Sequence, residues 1–166
     1  MKKYLISIDQ GTTSSKIILF NNKSDTIDIL QKNFKQFFPK NGWVEHDALE
    51  IWNDVKFLIS KILRKNKIDS LEILSLGITN QRETTVLWNK KNGKPINKAI
   101  VWQDRRTYDF CKILKKKKLE KKIQKITGLI LDPYFSATKI KWIIENNIEA
   151  KKLLKKDKLL FGTIDT

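Results

Sequence analysis

Hydrophobic and polar positions alternate from Tyr4 to Asp9 and again from Lys16 to Phe20, with a hydroxyl-rich polar turn between them. Period-two alternation on either side of a tight turn predicts a β-hairpin, and Ile27–Phe34 extends it to a three-strand antiparallel meander. Phe37–Glu45 carries Pro39 and Gly42 and reads as a loop. Asp47 then opens a helix, with Glu50 at capping-box spacing and Asp in the cap position. On that helix Trp52, Val55, Ile59, Ile62 and Leu63 recur at helical spacing and are expected to face the sheet. Ile73–Thr79 is a short apolar run bounded by polar residues, expected to be a buried strand. Thr84–Trp88 and Ala99–Trp102 read as short strands, and Asn92–Gly93 as a turn.

From Thr107 the period lengthens to that of helices. Phe110, Ile113 and Leu114 share one face, and Leu119, Ile123 and Ile126 another. Gly128 stands where a helix ends on a left-handed residue. Ser136 is expected to cap a further helix carrying Ile140, Ile143 and Ile144, and Leu159–Phe161 begins a strand. There is no internal repeat and no low-complexity linker. The pattern predicts one α/β domain over residues 1–166, with a mixed sheet that starts as an antiparallel meander and is flanked by helices.

Charge changes the picture, because 34 Lys and Arg stand against 18 Asp and Glu, a formal net charge of +16 at pH 7. Such an excess points to a polyanion partner. The composition argues otherwise: only Arg64, Arg82, Arg105 and Arg106 are arginine, and the rest of the basic residues are lysines spread along the chain. Planar, bidentate recognition of bases and phosphates is arginine chemistry. The Lys115–Lys118 run reads as a solvated helix end. The single cysteine, Cys111, excludes an internal disulfide, fits a reducing compartment and is expected to be a small buried apolar residue. With one histidine, His46, there is no His/Cys cluster for zinc; beside Trp43 and Glu45 it reads as structural. No apolar run approaches the roughly 18 residues of a membrane span. The amino-terminal apolar stretch is broken by Asp9 and alternates like a strand, so a cytoplasmic address is expected.

Two places carry candidate chemistry. Asp9-Gln-Gly-Thr-Thr-Ser-Ser15 ends a strand on a carboxylate and follows it with Gly11, whose missing Cβ widens the backbone's choices, and with a run of hydroxyls. Such a turn can nest phosphate oxygens while the carboxylate holds a hydrated Mg²⁺; it is equally the composition of an ordinary hairpin turn, and it is not a Walker A loop. Arg82 and Glu83 closely follow the strand at Ile73–Thr79, where ligands of open α/β sheets tend to bind. A fixed cation beside a fixed anion suits vicinal hydroxyls; it is also what a surface ion pair looks like.

The motifs settle more when taken together. Asp9-Gln-Gly-Thr-Thr-Ser14, Gly42-Trp-Val-Glu-His-Asp47, Gly77-Ile-Thr-Asn-Gln-Arg-Glu-Thr-Thr85, Ala99-Ile-Val-Trp-Gln-Asp-Arg-Arg-Thr107 and Asp132-Pro-Tyr-Phe-Ser-Ala-Thr-Lys139 occur in order. From about Tyr4 to Thr166 the chain resembles the amino-terminal part of the glycerol kinases, carbohydrate kinases of actin-like, ribonuclease H-like fold. The resemblance implies ATP-dependent phosphorylation of glycerol to sn-glycerol 3-phosphate, with Mg²⁺ accompanying the ATP. It implies nucleotide contacts at Thr12, Thr13, Ser14 and Lys16, a metal-associated carboxylate at Asp9, and glycerol contacts at Arg82, Glu83, Trp102 and Tyr134. Lys16 departs from the arginine usual at its position, keeping the charge and losing the fork. Trp43, Trp52, Trp88 and Trp142 read as packing residues, and Arg105 and Arg106 as residues that orient the polyol loop or pair with carboxylates. The resemblance places the proton-accepting aspartate and the adenine pocket beyond Thr166. It therefore predicts an amino-terminal fragment, or the product of a broken reading frame, inactive alone and lacking the second domain; oligomerisation of the full-length enzyme stays open. The alternatives are the same domain of a xylulokinase-like sugar kinase, a basic nucleic-acid-binding module and a non-catalytic remnant.

Diffuse lysine charge has a measurable consequence. Binding to DNA or RNA is expected to be weak, sequence-independent and steeply salt-sensitive. A titration at physiological salt checks this, and sequence-selective binding that survives added salt would restore the nucleic-acid reading.

Overall fold

The computed structural model describes residues 3–166. In chain order its strands are β1 (Tyr4–Gln10), β2 (Ser14–Asn21), β3 (Thr26–Asn33), β4 (Glu45–His46), β5 (Ile73–Thr79), β6 (Thr85–Asn89), β7 (Ala99–Ile100) and β8 (Leu159–Thr163). Its helices are α1 (Ala48–Lys65), α2 (Tyr108–Lys116), α3 (Glu120–Thr127), α4 (Ser136–Asn146) and α5 (Ile148–Lys155). The chain divides into two compact units. One comprises the chain up to Lys35, Asp47–Gln81 and Ile164–Thr166; the other comprises Gln36–His46 and Arg82–Thr163.

In the first unit β1, β2 and β3 form the expected meander, and β5 joins parallel to β1, giving the order β3-β2-β1-β5. Alternation sets the faces: Ile6, Ile8, Ile17 and Leu19 point into a core completed by Val55, Leu58 and Ile62 of α1. Asp47 caps α1 as expected, accepting from the N–H groups of Leu49 at 3.0 Å and Glu50 at 3.3 Å. The Glu50 carboxylate accepts from the Lys35 N–H, tying the exit of the meander to the helix.

Two expectations need correcting. Trp52 does not face the sheet: it is 56% exposed, with the Lys56 ammonium 5.0 Å from its ring centre. The buried stripe runs through its neighbour Ile51, then Val55, Leu58 and Ile62. A 3.6-residue period fits both neighbours, and only the angle of docking chooses between them. Ile73–Thr79 is a strand with the expected bounds, but it is not buried. It is the edge of the sheet, and Leu76 and Ile78 are 43% and 53% exposed. They pair in register with Ile6 and Ile8 and so share the helix-covered face. The helix, however, lies over β2 and β3. An apolar run records that a face wants cover, not that the described residues supply it.

The second unit has its own sheet, in the order β4-β7-β6-β8 with every pairing antiparallel. The short strands were legible; their gathering into a separate sheet was not. The strand expected at Ala99–Trp102 shrinks to Ala99–Ile100, because the Val101 N–H already donates to Val44 O and Trp102 enters a turn. Leu87, Ile100, Ile143 and Ala150 form the core. Gly128 ends α3 at φ 74°, as its position predicted. Ile113 and Ile126, expected on packed faces, are exposed, while Cys111 is the buried residue of α2. Its thiol is pushed up by burial, which keeps it protonated and inert. Among the described residues no helix is long and apolar enough to cross a membrane.

His46 is fully buried in this unit, its Nε2 2.6 Å from Gln36 Oε1. Burial lowers its pKa from 6.5 to about 4, so it stays neutral and structural. The unfolded chain takes up a proton below about pH 6.5 that the folded chain refuses until about pH 4. The contribution of His46 is therefore complete above pH 6.5 and is lost as the pH falls towards 4, about 3 kcal/mol in all. Denaturant unfolding at stepped pH should show a smaller loss across this window for His46→Gln than for the wild type. Equal slopes would refute the assignment.

Candidate functional site

The hydroxyl-rich turn of the first unit joins β1 to β2. Gly11 N–H donates to Ser14 O at 3.0 Å, and Phe34 N–H donates to Thr13 O at 3.3 Å, fixing the turn against the end of β3. Gly11 is needed for closeness rather than for a left-handed conformation: a Cβ there would lie 3.3 Å from Ser14 O. The hydroxyls are not equivalent. Ser15 is buried and donates to Gln10 Oε1 at 2.8 Å, and Ser14 Oγ accepts from Gln31 Nε2 at 2.9 Å. Thr12 and Thr13 form the tip of the turn.

Asp9 and Lys16 are cross-strand partners, and Lys16 Nζ lies 3.3 Å from Asp9 Oδ2. Both side chains are part-exposed, which allows a phosphate or a hydrated cation to reach them. No group of three acidic, His or Cys side chains able to hold a metal exists among the described residues. That fits Mg²⁺, which is usually held by one or two carboxylates together with substrate phosphates and water. Asp9 is the residue that would hold it.

The second unit gathers the other candidates. Glu83 is a non-glycine residue at φ 65°, in the turn before β6. Its Oε2 accepts from Ser136 N–H at 2.8 Å and from Ser136 Oγ at 2.7 Å. Ser136 therefore does not cap α4, as its sequence position led us to expect. It is the first helical residue, and the carboxylate of Glu83 serves the helix end, where the macrodipole favours an anion. Tyr134 N–H donates to Asp132 Oδ1 at 2.8 Å, and Arg105 Nη1 donates to the same oxygen at 3.0 Å. The rings of Trp102 and Tyr134 meet edge to face, 5.9 Å between centres. Arg82 is exposed beside Glu83. Glu83, Tyr134 and Trp102 are thus drawn together through α4 and the loop before it.

Sequence reasoning missed Lys139. It lies within α4, fully buried, and donates from Nζ to Glu83 O at 2.8 Å and to Tyr134 O at 2.5 Å. Only its place at the end of a recognised motif marked it.

Arg106 settles the choice left open for the two arginines. Its guanidinium, with a side chain 2% exposed, binds Asp104 through Nε–Oδ1 at 2.9 Å and Nη2–Oδ2 at 2.8 Å, and Glu45 at 2.8 Å. It also lies over the rings of Trp43 and Trp142, 3.8 and 4.7 Å from their centres, in the corner made by two rings that meet edge to face. Those tryptophans are packing residues, as their positions predicted. Asp104 Oδ2 further accepts from Val44 N–H at 2.7 Å. Gly42, at φ 73°, turns the chain so that its carbonyl accepts from Arg105 N–H at 2.8 Å.

Comparison with known proteins gives these groups a context. Residues 4–166 match the model of the FGGY family of carbohydrate kinases, N-terminal domain. The chain is 54% identical over 166 residues to a glycerol kinase of Treponema denticola, covering 100% of this chain and 34% of that protein. It is 52% identical over its full length to a glycerol kinase of Staphylococcus haemolyticus, covering 33% of it. The crystal structure of Plasmodium falciparum glycerol kinase with ADP superposes with a TM-score of 0.92 at 36% identity, over 99% of this chain and 33% of that one. A gluconate kinase from Lactobacillus acidophilus shares the fold, with a TM-score of 0.84 at 21% identity. The chain thus spans about a third of the length of these relatives.

The buried cation is the most exposed to test. Arg106→Met removes the bidentate partner of the buried Asp104 carboxylate and should destabilise the second unit by about 3–5 kcal/mol. Urea unfolding followed through tryptophan emission checks this; a loss below about 1 kcal/mol would show that the cluster is peripheral to stability.

Proposed function

The chain belongs to the FGGY family of carbohydrate kinases, and on that premise we propose that it is the amino-terminal, actin-like domain of an ATP-dependent glycerol kinase. The observation that carries the reading is identity of 54% with a glycerol kinase along all 166 residues. The sugar kinases superpose at 21–22% identity, which speaks for the fold and not for their substrates. The domain is incomplete on this reading, and its cellular address is cytoplasmic.

Phosphoryl transfer asks a protein for positioning and charge neutralisation more than for covalent chemistry. In the first unit the turn at Thr12, Thr13 and Ser14 presents hydroxyls to phosphate oxygens, and Lys16 adds a positive charge. Asp9 would hold Mg²⁺, which supplies charge neutralisation at the phosphates. In the second unit Arg82 donates to glycerol hydroxyls and Glu83 accepts from them through the carboxylate oxygen that α4 leaves over. The rings of Trp102 and Tyr134 cover the carbon backbone. The attacking hydroxyl needs a base to take its proton, a contribution of roughly 10²–10⁴-fold. We assign that role to none of these residues.

The isolated 166 residues should accordingly give no measurable phosphorylation of glycerol with ATP and Mg²⁺. Supplying the remaining two-thirds of a related glycerol kinase should restore turnover. In that assay Arg82→Ala should raise the KM for glycerol about tenfold or more, through loss of a charge-assisted donor, while Thr12→Ala should act on the KM for ATP. Robust activity of the purified chain alone would overturn the assignment of the base to a position outside it. Phosphorylation of xylulose in preference to glycerol in the complemented assay would favour the sugar-kinase alternative.

A further inference from the structure

Lys139 is the buried charged group that the proposed chemistry leaves without a task. A helical side chain with no exposed surface is ordinarily apolar, and an ammonium placed there must be compensated by hydrogen bonds. Here the compensation is specific. The ammonium donates to two main-chain carbonyls, Glu83 O at 2.8 Å and Tyr134 O at 2.5 Å. Those residues are 51 positions apart in sequence, and each carries a side chain of the proposed polyol site. Glu83 also sits at φ 65°, a conformation that a residue with a side chain holds only when its surroundings fix it. Thr85 Oγ1 donates to the same Glu83 carbonyl at 3.2 Å, and the carboxylate is held by Ser136.

We infer that Lys139 is a positioning residue for the polyol site: its buried ammonium ties the main chain of Glu83 to that of Tyr134, so that the Glu83 carboxylate and the Tyr134 ring are presented to one ligand. The identity of that ligand as glycerol rests on the function proposed above; the tie itself does not. The ammonium does not touch the ligand, and its effect passes through the two carbonyls. The charged groups around it are Glu83, Asp104 and Asp132, which favour the protonated form, and Arg105, which opposes it. Burial outweighs them and brings its pKa down to about 8, within reach of a mild titration.

The test uses the 166-residue protein, isotopically labelled for NMR. In the wild type, the carbonyl carbons of Glu83 and Tyr134 should titrate together with Lys139 Cε, with one midpoint near 8. Carbonyls that ignore the titration of Lys139 would overturn the inference, and this arm needs no variant to fold. Lys139→Met should then move the Ser136 amide, which reports the Glu83 carboxylate, and weaken glycerol binding at least about tenfold. Lys139→Cys in a Cys111→Ala background, alkylated to restore an amine, should recover both. A Lys139→Met protein with wild-type Ser136 and carbonyl shifts would also overturn it, as would one whose shifts move while glycerol affinity stays at the wild-type value. Coupled carbonyl shifts in a wild-type chain that binds no glycerol would support the tie and sink the glycerol reading separately.

Discussion

The second unit is organised around one buried cation. Arg106 is held on its edge by Asp104 and Glu45 and packs against the rings of Trp43 and Trp142. Its cost of desolvation is met by a bidentate carboxylate, a second carboxylate and two aromatic rings, an environment that a lysine could not use in the same way. Each partner comes from a different stretch of chain: the loop before β4, β4 itself, the turn after β7, and α4. Fixing one guanidinium therefore fixes all four. One of the candidate site residues, Trp102, lies two positions before Asp104 on the segment that links β7 to α2. The rarity of arginine in a lysine-rich chain takes on meaning here, because Arg106 occupies a place where a fork and a flat face are both needed.

A second layer of the site is built on main-chain groups. The carboxylate of Glu83 serves the amino-terminal end of α4, and the amine of Lys139, one turn further along the same helix, returns to the carbonyl of Glu83. The helix and the turn before β6 thus hold one another at both ends of a single residue. Glu83 consequently has two duties, and its replacement would disturb α4 as well as any ligand. An alanine variant of Glu83 would confound the two; a glutamine can keep one acceptor at the helix end while turning the other oxygen into an amide donor.

The legible part of this structure was the part governed by local rules. Alternation gave the meander, Asp47 gave the start of α1, and Gly128 gave the end of α3. The turn and polyol motifs were visible as residue types, and their companions in space were not. Nothing local announces that Glu83 will serve a helix 53 residues further on, or that Lys139 will point inward rather than into water. The apolar pattern also overreached, at Trp52 and at β5, because periodicity states which residues share a face and is silent on whether another element comes to lie over it. The α5 helix went unread for a related reason. Its eight residues bury only Ala150 and Leu153, too short a stripe to stand out.

Among the described residues β5 has no strand on its outer side, and this bears on how the chain meets other copies of itself. A strand whose outer N–H and C=O groups and apolar side chains are both open is a template for pairing with another molecule. What opposes such pairing is the net charge of +16, which sets copies of the chain against one another at a distance. That repulsion reaches about 10 Å in 0.1 M salt and only about 3 Å in 1 M salt. Added salt therefore removes the long-range opposition to such pairing and leaves only what acts at contact.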